Sequence, residues 1–152
     1  MLVKNNFLKN IATIVACFAV CAVMCCGGCK KSGDDEKGGS GGFKVSPPAW
    51  IQGKWGMEGY EIYKFTTDDI LVYGFSFKSM YVQVPGVTYT CRETKTEVLY
   101  EIHITVKAKG TSETGSGTFS FKKGDGTYIE AAQADDDDRI SPSDYERFDK
   151  LN

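Results

Sequence analysis

Residues 43–152 read as an all-β domain, an antiparallel meander closing into a small barrel of about seven to eight strands. Three observations predict this. "EVLYEIHITVKAK" alternates, with Val98, Tyr100, Ile102, Ile104 and Val106 on one face and Leu99, Glu101, His103 and Thr105 on the other, the period of a half-buried strand. "GTFSFKKGDGTYIEAA" is two strand-like runs around Gly124, Asp125 and Gly126, which supply the positive backbone angles of a tight hairpin turn. No long stretch carries a helical period.

The other elements follow in chain order. "WGMEGYEIYKF" reads as the first strand, "DDILVYGFSFKSMYVQV" as two more broken near Tyr73 and Gly74, and "VTYTCRE" as another before the long alternating one. "GTSETGSGTF" reads as a loop. At the C-terminus, "SPSDYERFDK" fits two structures. One is a short helix with Ser141 as N-cap, Pro142 in the first helical position and Asp144 completing a capping box; the other is a closing strand over residues 145–150. Closing a sheet into a barrel also removes its exposed edges.

Length and composition suit one such domain. A chain of 152 residues that is 41 % hydrophobic and 12 % aromatic has enough apolar side chain for a packed core. Eighteen Lys and Arg stand against 20 Asp and Glu; leaving aside Lys4 and Lys9, the only charges among residues 1–28, the count is 16 against 20, a net charge of −4. A mildly acidic surface is a poor partner for a polyanion, which argues against nucleic acid.

The N-terminal segment has a different chemistry. "MLVKNNFLKN" is a short basic region, and "IATIVACFAVCAVMCC" adds 16 residues without charge, a signal-peptide pattern and shorter than the roughly 20 apolar residues of a spanning helix. Five of the six cysteines, Cys17, Cys21, Cys25, Cys26 and Cys29, crowd into thirteen residues there, with Cys91 alone downstream. A disulfide framework would spread them through the folded domain. Cys26 and Cys29 have C-x-x-C spacing, yet no second pair follows to close a zinc site.

This segment resembles a bacterial lipoprotein signal, of the relaxed kind found in spirochaete lipoproteins. The family's box has an aliphatic residue three before, and a small residue one before, the cysteine that takes the lipid and becomes the new N-terminus. Cys29 follows Gly28 and precedes a polar run, with Cys26 in the aliphatic position; the alternative, Cys26, has Val23 in that position but Cys25 directly before it. Cys17 has Ile14 and Ala16 in place, but a cut there would leave "FAVCAVMCC" on the mature chain. The resemblance implies a signal peptide over 1–28, a lipidated Cys29 with a tether over 29–42, and a domain over 43–152. It also implies a cell-envelope location, at the outer membrane or cell surface rather than the inner membrane. Palmitate-type acyl chains each add about 0.8 kcal/mol of membrane affinity per buried CH₂, so two or three hold the chain firmly. "KKSGDDEKGGSGG", residues 30–42, is charged and glycine-rich and reads as a flexible tether.

In "PPAWIQGKWGMEGYEIYKFTTDDILVY", Gly53, Lys54 and Trp55 form the G-x-W that opens the first strand of lipocalin-like barrels, and residues 49–152 resemble small lipocalin-like domains of bacterial lipoproteins. In that family the tryptophan packs across the closed end against a basic residue late in the chain. The resemblance points to Arg147, with Arg139 the alternative, so Gly53, Trp55 and Arg147 are the expected barrel-closing residues.

Catalytic and metal chemistry is not legible. His103 is the only histidine, Cys91 has no histidine at a motif spacing, and no G-x-S-x-G elbow occurs. "ADDDDR" lacks calcium-loop spacing and reads as a solvated acidic turn. No phosphate-cradling loop opens a helix. The expectation is therefore no enzyme, no cofactor and no resident metal. Two functions remain: a binding module taking a small apolar or amphipathic ligand in the barrel mouth, or a filled barrel presenting "VPGVT" and "ADDDDR" to an envelope or host protein. The strand aromatics, Tyr60, Tyr63, Phe65, Phe119 and Phe121 among them, are large enough to fill a barrel of about eight strands.

Overall fold

The computed structural model describes residues 43–81, 86–112, 114–135 and 139–152. The expected signal peptide, Cys26, Cys29 and the expected tether lie outside them. Nine strands form one antiparallel sheet: β1 (Gly53–Met57), β2 (Tyr60–Phe65), β3 (Ile70–Val72), β4 (Phe75–Ser76), β5 (Val87–Lys95), β6 (Leu99–Ala108), β7 (Thr114–Lys123), β8 (Tyr128–Asp135) and β9 (Glu146–Leu151). The single α-helix among the described residues is α1 (Phe77–Tyr81). The sheet order is β4-β3-β2-β1-β9-β8-β7-β6-β5, so each strand lies beside a sequence neighbour except where β1 meets β9. The sheet curls into a half-barrel with β4 and β5 at its two ends.

The all-β meander is as expected, with differences that have local causes. The run read as the first strand is a hairpin, turned at Glu58 (φ 52°) and Gly59 (φ 84°). Two positive angles in succession make the primed turn whose twist matches the flanking strands, and Tyr73 (φ 50°) with Gly74 (φ 82°) repeats it between β3 and β4. Beside the first turn the ladder carries a bulge at Trp55/Gly56. A Cβ on Gly56 would overlap the Tyr60 carbonyl, so glycine is what lets the two strands approach there. The second half of "GTSETGSGTF" is strand, not loop: β7 pairs with β6 from Thr114 onward, and this backbone ladder outweighs its glycine and serine content. Residues 77–81, read as strand, form α1 instead.

Both readings of the C-terminus are realised in succession. Pro142–Asp144 is a 3-10 turn with the Ser141–Asp144 capping box, and β9 follows. The core lies on the concave side of the sheet. Trp55, Tyr63, Tyr100, Phe121, Ile129 and Phe148 are buried there, and β6 buries Tyr100, Ile102 and Ile104 as its alternation required.

Candidate functional site

One end of the half-barrel is closed by the chain that precedes β1. Ala49–Ile51 forms a 3-10 turn, Ile51 is fully buried, and the Trp55 indole N–H donates to the Ile51 carbonyl at 2.6 Å. Trp50 ties this turn to the β5–β6 connection by donating to the Thr96 carbonyl at 3.0 Å. Gly53 opens β1 at φ 125°, an angle that L side chains rarely adopt, beside the Lys150 side chain. The cation over Trp55 is Lys150, its Nζ 5.4 Å from the ring centroid, and not Arg147. Register explains the correction. Trp55 pairs with Lys150, whereas Arg147 is three residues away on β9 and so faces the other side. There its guanidinium stacks on Tyr128 at 4.1 Å and pairs with Asp149 at 2.9 Å. Arg139 is exposed.

The interior is occupied by the protein's own side chains. The Phe121 ring centroid lies 5.0 Å from Phe65, 5.4 Å from Tyr63 and 6.1 Å from Tyr100. Phe77 of α1 meets Phe119 at 5.1 Å, and Phe43 meets Phe77 at 6.2 Å. Residues 43–47 form a strap that alternates in burial, with Phe43, Val45 and Pro47 inward and Lys44 and Ser46 outward. Glu93 of β5 anchors it. One carboxylate oxygen accepts from the Ser46 backbone N–H at 2.8 Å and from the Tyr100 hydroxyl at 2.6 Å; the other lies 3.0 Å from Lys95 Nζ, which also donates to the Ser46 hydroxyl. Burial pushes the Glu93 carboxyl up, but these bonds from Ser46, Tyr100 and Lys95 outweigh it and hold the group below its ordinary range. An open cleft of about 480 Å³ remains between the strap, Asp68, Lys78 and Glu93, its rim crossed by the Lys78–Asp68 ion pair.

His103 and Cys91, the two side chains with chemical promise, are on opposite faces. Cys91 pairs with Ile104 on the concave side, and burial, first, then the neighbouring Glu93, push its thiol up to about 11. A thiol protonated at neutral pH is a poor nucleophile. His103 lies outside, opposite Arg92, with ring nitrogens 3.0 Å from the Thr118 hydroxyl and 3.4 Å from that of Thr105. Thr90, Arg92, His103 and Thr105 line a small cup of about 140 Å³. A further polar knot went unread in the sequence. Ser120 is fully buried beneath Tyr145, bonded to its hydroxyl at 2.8 Å and to Glu101 at 3.0 Å. Its signal was the serine between two phenylalanines in "TFSF", on the face the core does not use.

Among the described carboxylates, Glu146 is the one that burial pushes up on balance. It pairs with Ala131, and burial pushes its carboxyl up; burial, then Tyr73 and Glu146, likewise push up the Tyr63 phenol. A carboxyl whose folded pKa is raised favours the protonated form, so its cost appears as pH rises through the unfolded value and is complete above the folded one. Glu146→Gln is therefore expected to raise the thermal midpoint by a few degrees at neutral pH, and the gain is expected to vanish once both states are protonated in acid. Thermal melts across pH check it.

Large apolar side chains emerge at two neighbouring turns. Met57 (42 % exposed) and Tyr60 (74 %) flank the β1–β2 turn, and Tyr73 (41 %) and Phe75 (69 %) lie at the β3–β4 turn, carried by paired strands. Val98 (61 %) is exposed at the β5–β6 connection. "VPGVT" and "ADDDDR" fall partly outside the described residues, at 84–85 and 136–138. Among the described residues no helix is long and apolar enough to cross a membrane, and no three His, Cys, Asp or Glu side chains are grouped to hold a metal ion. No family model matches the chain, and neither does any curated protein or solved structure.

Proposed function

We propose that this chain is an exported lipoprotein, cut and lipidated at Cys29 or, alternatively, Cys26, whose half-barrel is a non-enzymatic interaction module at the cell envelope. The observation that carries the second half is the filled interior: the strap, α1 and the Phe121 ring cluster occupy the space a carried ligand would need. Work is then done by surfaces presented to an envelope or host protein. The open cleft favours a second reading, a small amphipathic ligand held between Lys78 and Glu93, since its volume falls within the usual range of ligand pockets.

Mass spectrometry of protein extracted from membranes tests both halves. A denatured mass that begins at Cys29 or Cys26 and carries diacylglycerol with an acyl chain is expected, as is a native mass without a further small molecule. An N-terminus still at Met1 would overturn the lipoprotein reading. A stoichiometric co-purified compound would move the function to ligand carriage.

A further inference from the structure

We infer that the outer face of β5, β6 and β7 carries a site for one oxyanion, a phosphate or sulfate group, held by Arg92 and His103 among threonine hydroxyls. The inference stands apart from the lipoprotein reading and from the filled interior. It begins with register. On the face away from the core, Arg92 is directly opposite His103, Thr90 is opposite Thr105, and His103 is opposite Thr118 on the next strand. Alternation along three paired strands thus brings an arginine, the only histidine and three hydroxyls to one spot.

Each of these groups can donate a hydrogen bond. Arginine brings a planar fork of N–H donors and no acceptor, threonine a rotatable O–H, and histidine one or two ring N–H groups. No carboxylate satisfies the arginine. Lys54, Lys78, Lys95 and Arg147 each pair with an acid, and Arg147 also stacks on Tyr128, whereas among the described residues Arg92 makes no hydrogen bond or ion pair. Glu101, the next residue along the outer face of β6, accepts instead from the buried Ser120 hydroxyl. An arginine directly across from a histidine that can itself become a cation is an unfavourable pair by itself, and an anion between the two turns the repulsion into attraction.

The histidine is oriented before any ligand arrives. Nδ1 lies 3.0 Å from the Thr118 hydroxyl, and Nε2 lies 3.4 Å from that of Thr105. The shorter contact fixes the ring; the longer one leaves Nε2 as the nitrogen that can turn its bond over to an incoming oxygen. Threonine is stiff at its first side-chain torsion, so little freedom is lost in placing the hydroxyls.

Size and charge name the ligand class. The cup of about 140 Å³ is well below the roughly 300–1,000 Å³ of sites that enclose an organic molecule, and it suits a single anionic group. A carboxylate would spend both oxygens on the guanidinium fork, whereas a tetrahedral phosphate or sulfate has oxygens left for Nε2 and the hydroxyls. A polyanion is disfavoured, because residues 29–152 carry a net charge of −4 and the cup offers too few cations to neutralise a chain of phosphates.

The test follows the imidazole signals of His103 by NMR in the full chain held in detergent micelles; as the only histidine, it is read without overlap. Inorganic phosphate, sulfate and acetate are added in turn at fixed pH and at an ionic strength balanced with chloride. A saturable shift with phosphate and with sulfate, at a midpoint of about 1 mM, and a response to acetate at least roughly tenfold weaker are expected. Arg92→Gln is expected to weaken phosphate binding by at least about tenfold with an unchanged circular dichroism spectrum, and Arg147→Gln, on the same outer face but already paired, to leave it unchanged. Methyl phosphate separates the sources: binding equal to that of inorganic phosphate assigns the site to a group carried on a larger molecule, and weaker binding assigns it to the free anion. A shift that never saturates, or the same midpoint in Arg92→Gln, would overturn the site in favour of general ionic screening, and acetate binding as well as phosphate would overturn the tetrahedral ligand class.

Discussion

Phe121→Ala is expected to lower the stability of the domain by about 3–5 kcal/mol, the range for deleting a buried aromatic ring. The ring is 1 % exposed and touches three others from β2 and β6, strands on opposite flanks of the sheet. Removing it leaves a void lined by Tyr63, Phe65 and Tyr100, and rigid rings on curved strands cannot collapse into it without moving backbone. At about 4–8 °C per kcal/mol for a domain of about this size, the thermal midpoint should fall by roughly 15 °C or more. Urea unfolding followed by circular dichroism measures it directly. A loss below about 1 kcal/mol would mean that the interior is loosely filled, which would favour ligand carriage after all.

Glu93→Ala is the second large effect, expected at about 2–3 kcal/mol, because it deprives the Tyr100 hydroxyl of its acceptor and the strap of its anchor. The two contributions separate in a double-mutant cycle. Tyr100→Phe in the Glu93→Ala background removes the orphaned hydroxyl and should recover about 1 kcal/mol. The strap has its own readout: tryptic cleavage after Lys44, an outward residue, should accelerate roughly tenfold for each 1.4 kcal/mol by which the strap is loosened. The pH dependence has a definite sign. The Glu93 carboxyl is held below its ordinary range, so its stabilisation is complete above the ordinary carboxylate pKa and is lost as pH falls through the lower folded value. The unsubstituted protein should therefore converge on Glu93→Ala in acid. Unchanged cleavage after Lys44 at neutral pH would show that Phe43 and Val45 hold the strap without the carboxylate.

What could be read in advance was what depends on neighbours in sequence. The two faces of β6, the break at Tyr73–Gly74, the hairpin at Gly124–Gly126 and the Ser141–Asp144 cap are all local. The hairpin inside "WGMEGYEIYKF" was also local, but Glu58 in a left-handed position carries no compositional signal. The remaining misses depend on distant registers. Choosing Lys150 over Arg147 requires knowing that β9 pairs with β1 with Trp55 opposite Lys150. The strap's alternation has meaning only once a cleft exists beside β5 to receive it. Tyr60 read as a barrel-filling aromatic, and only the primed turn at Glu58–Gly59 places it outside.

The meeting of β1 with β9 also sets the order in which this chain can acquire its structure. Lys54, Trp55 and Gly56 have their ladder partners at Leu151, Lys150 and Asp149, so the longest wait among the ladders of the described strands falls on the first of them. Strands β5 to β8 are successive hairpins and can zip as they appear, but a chain emerging from its N-terminus leaves the Trp55 indole without its neighbour on β9 until the final residues arrive. The closed end is thus assembled last, and a polypeptide lacking its last few residues should remain open, protease-sensitive and slow to bury its tryptophans. Under the export proposed above, such late completion would be an asset, because the architecture itself delays compaction until β9 is made.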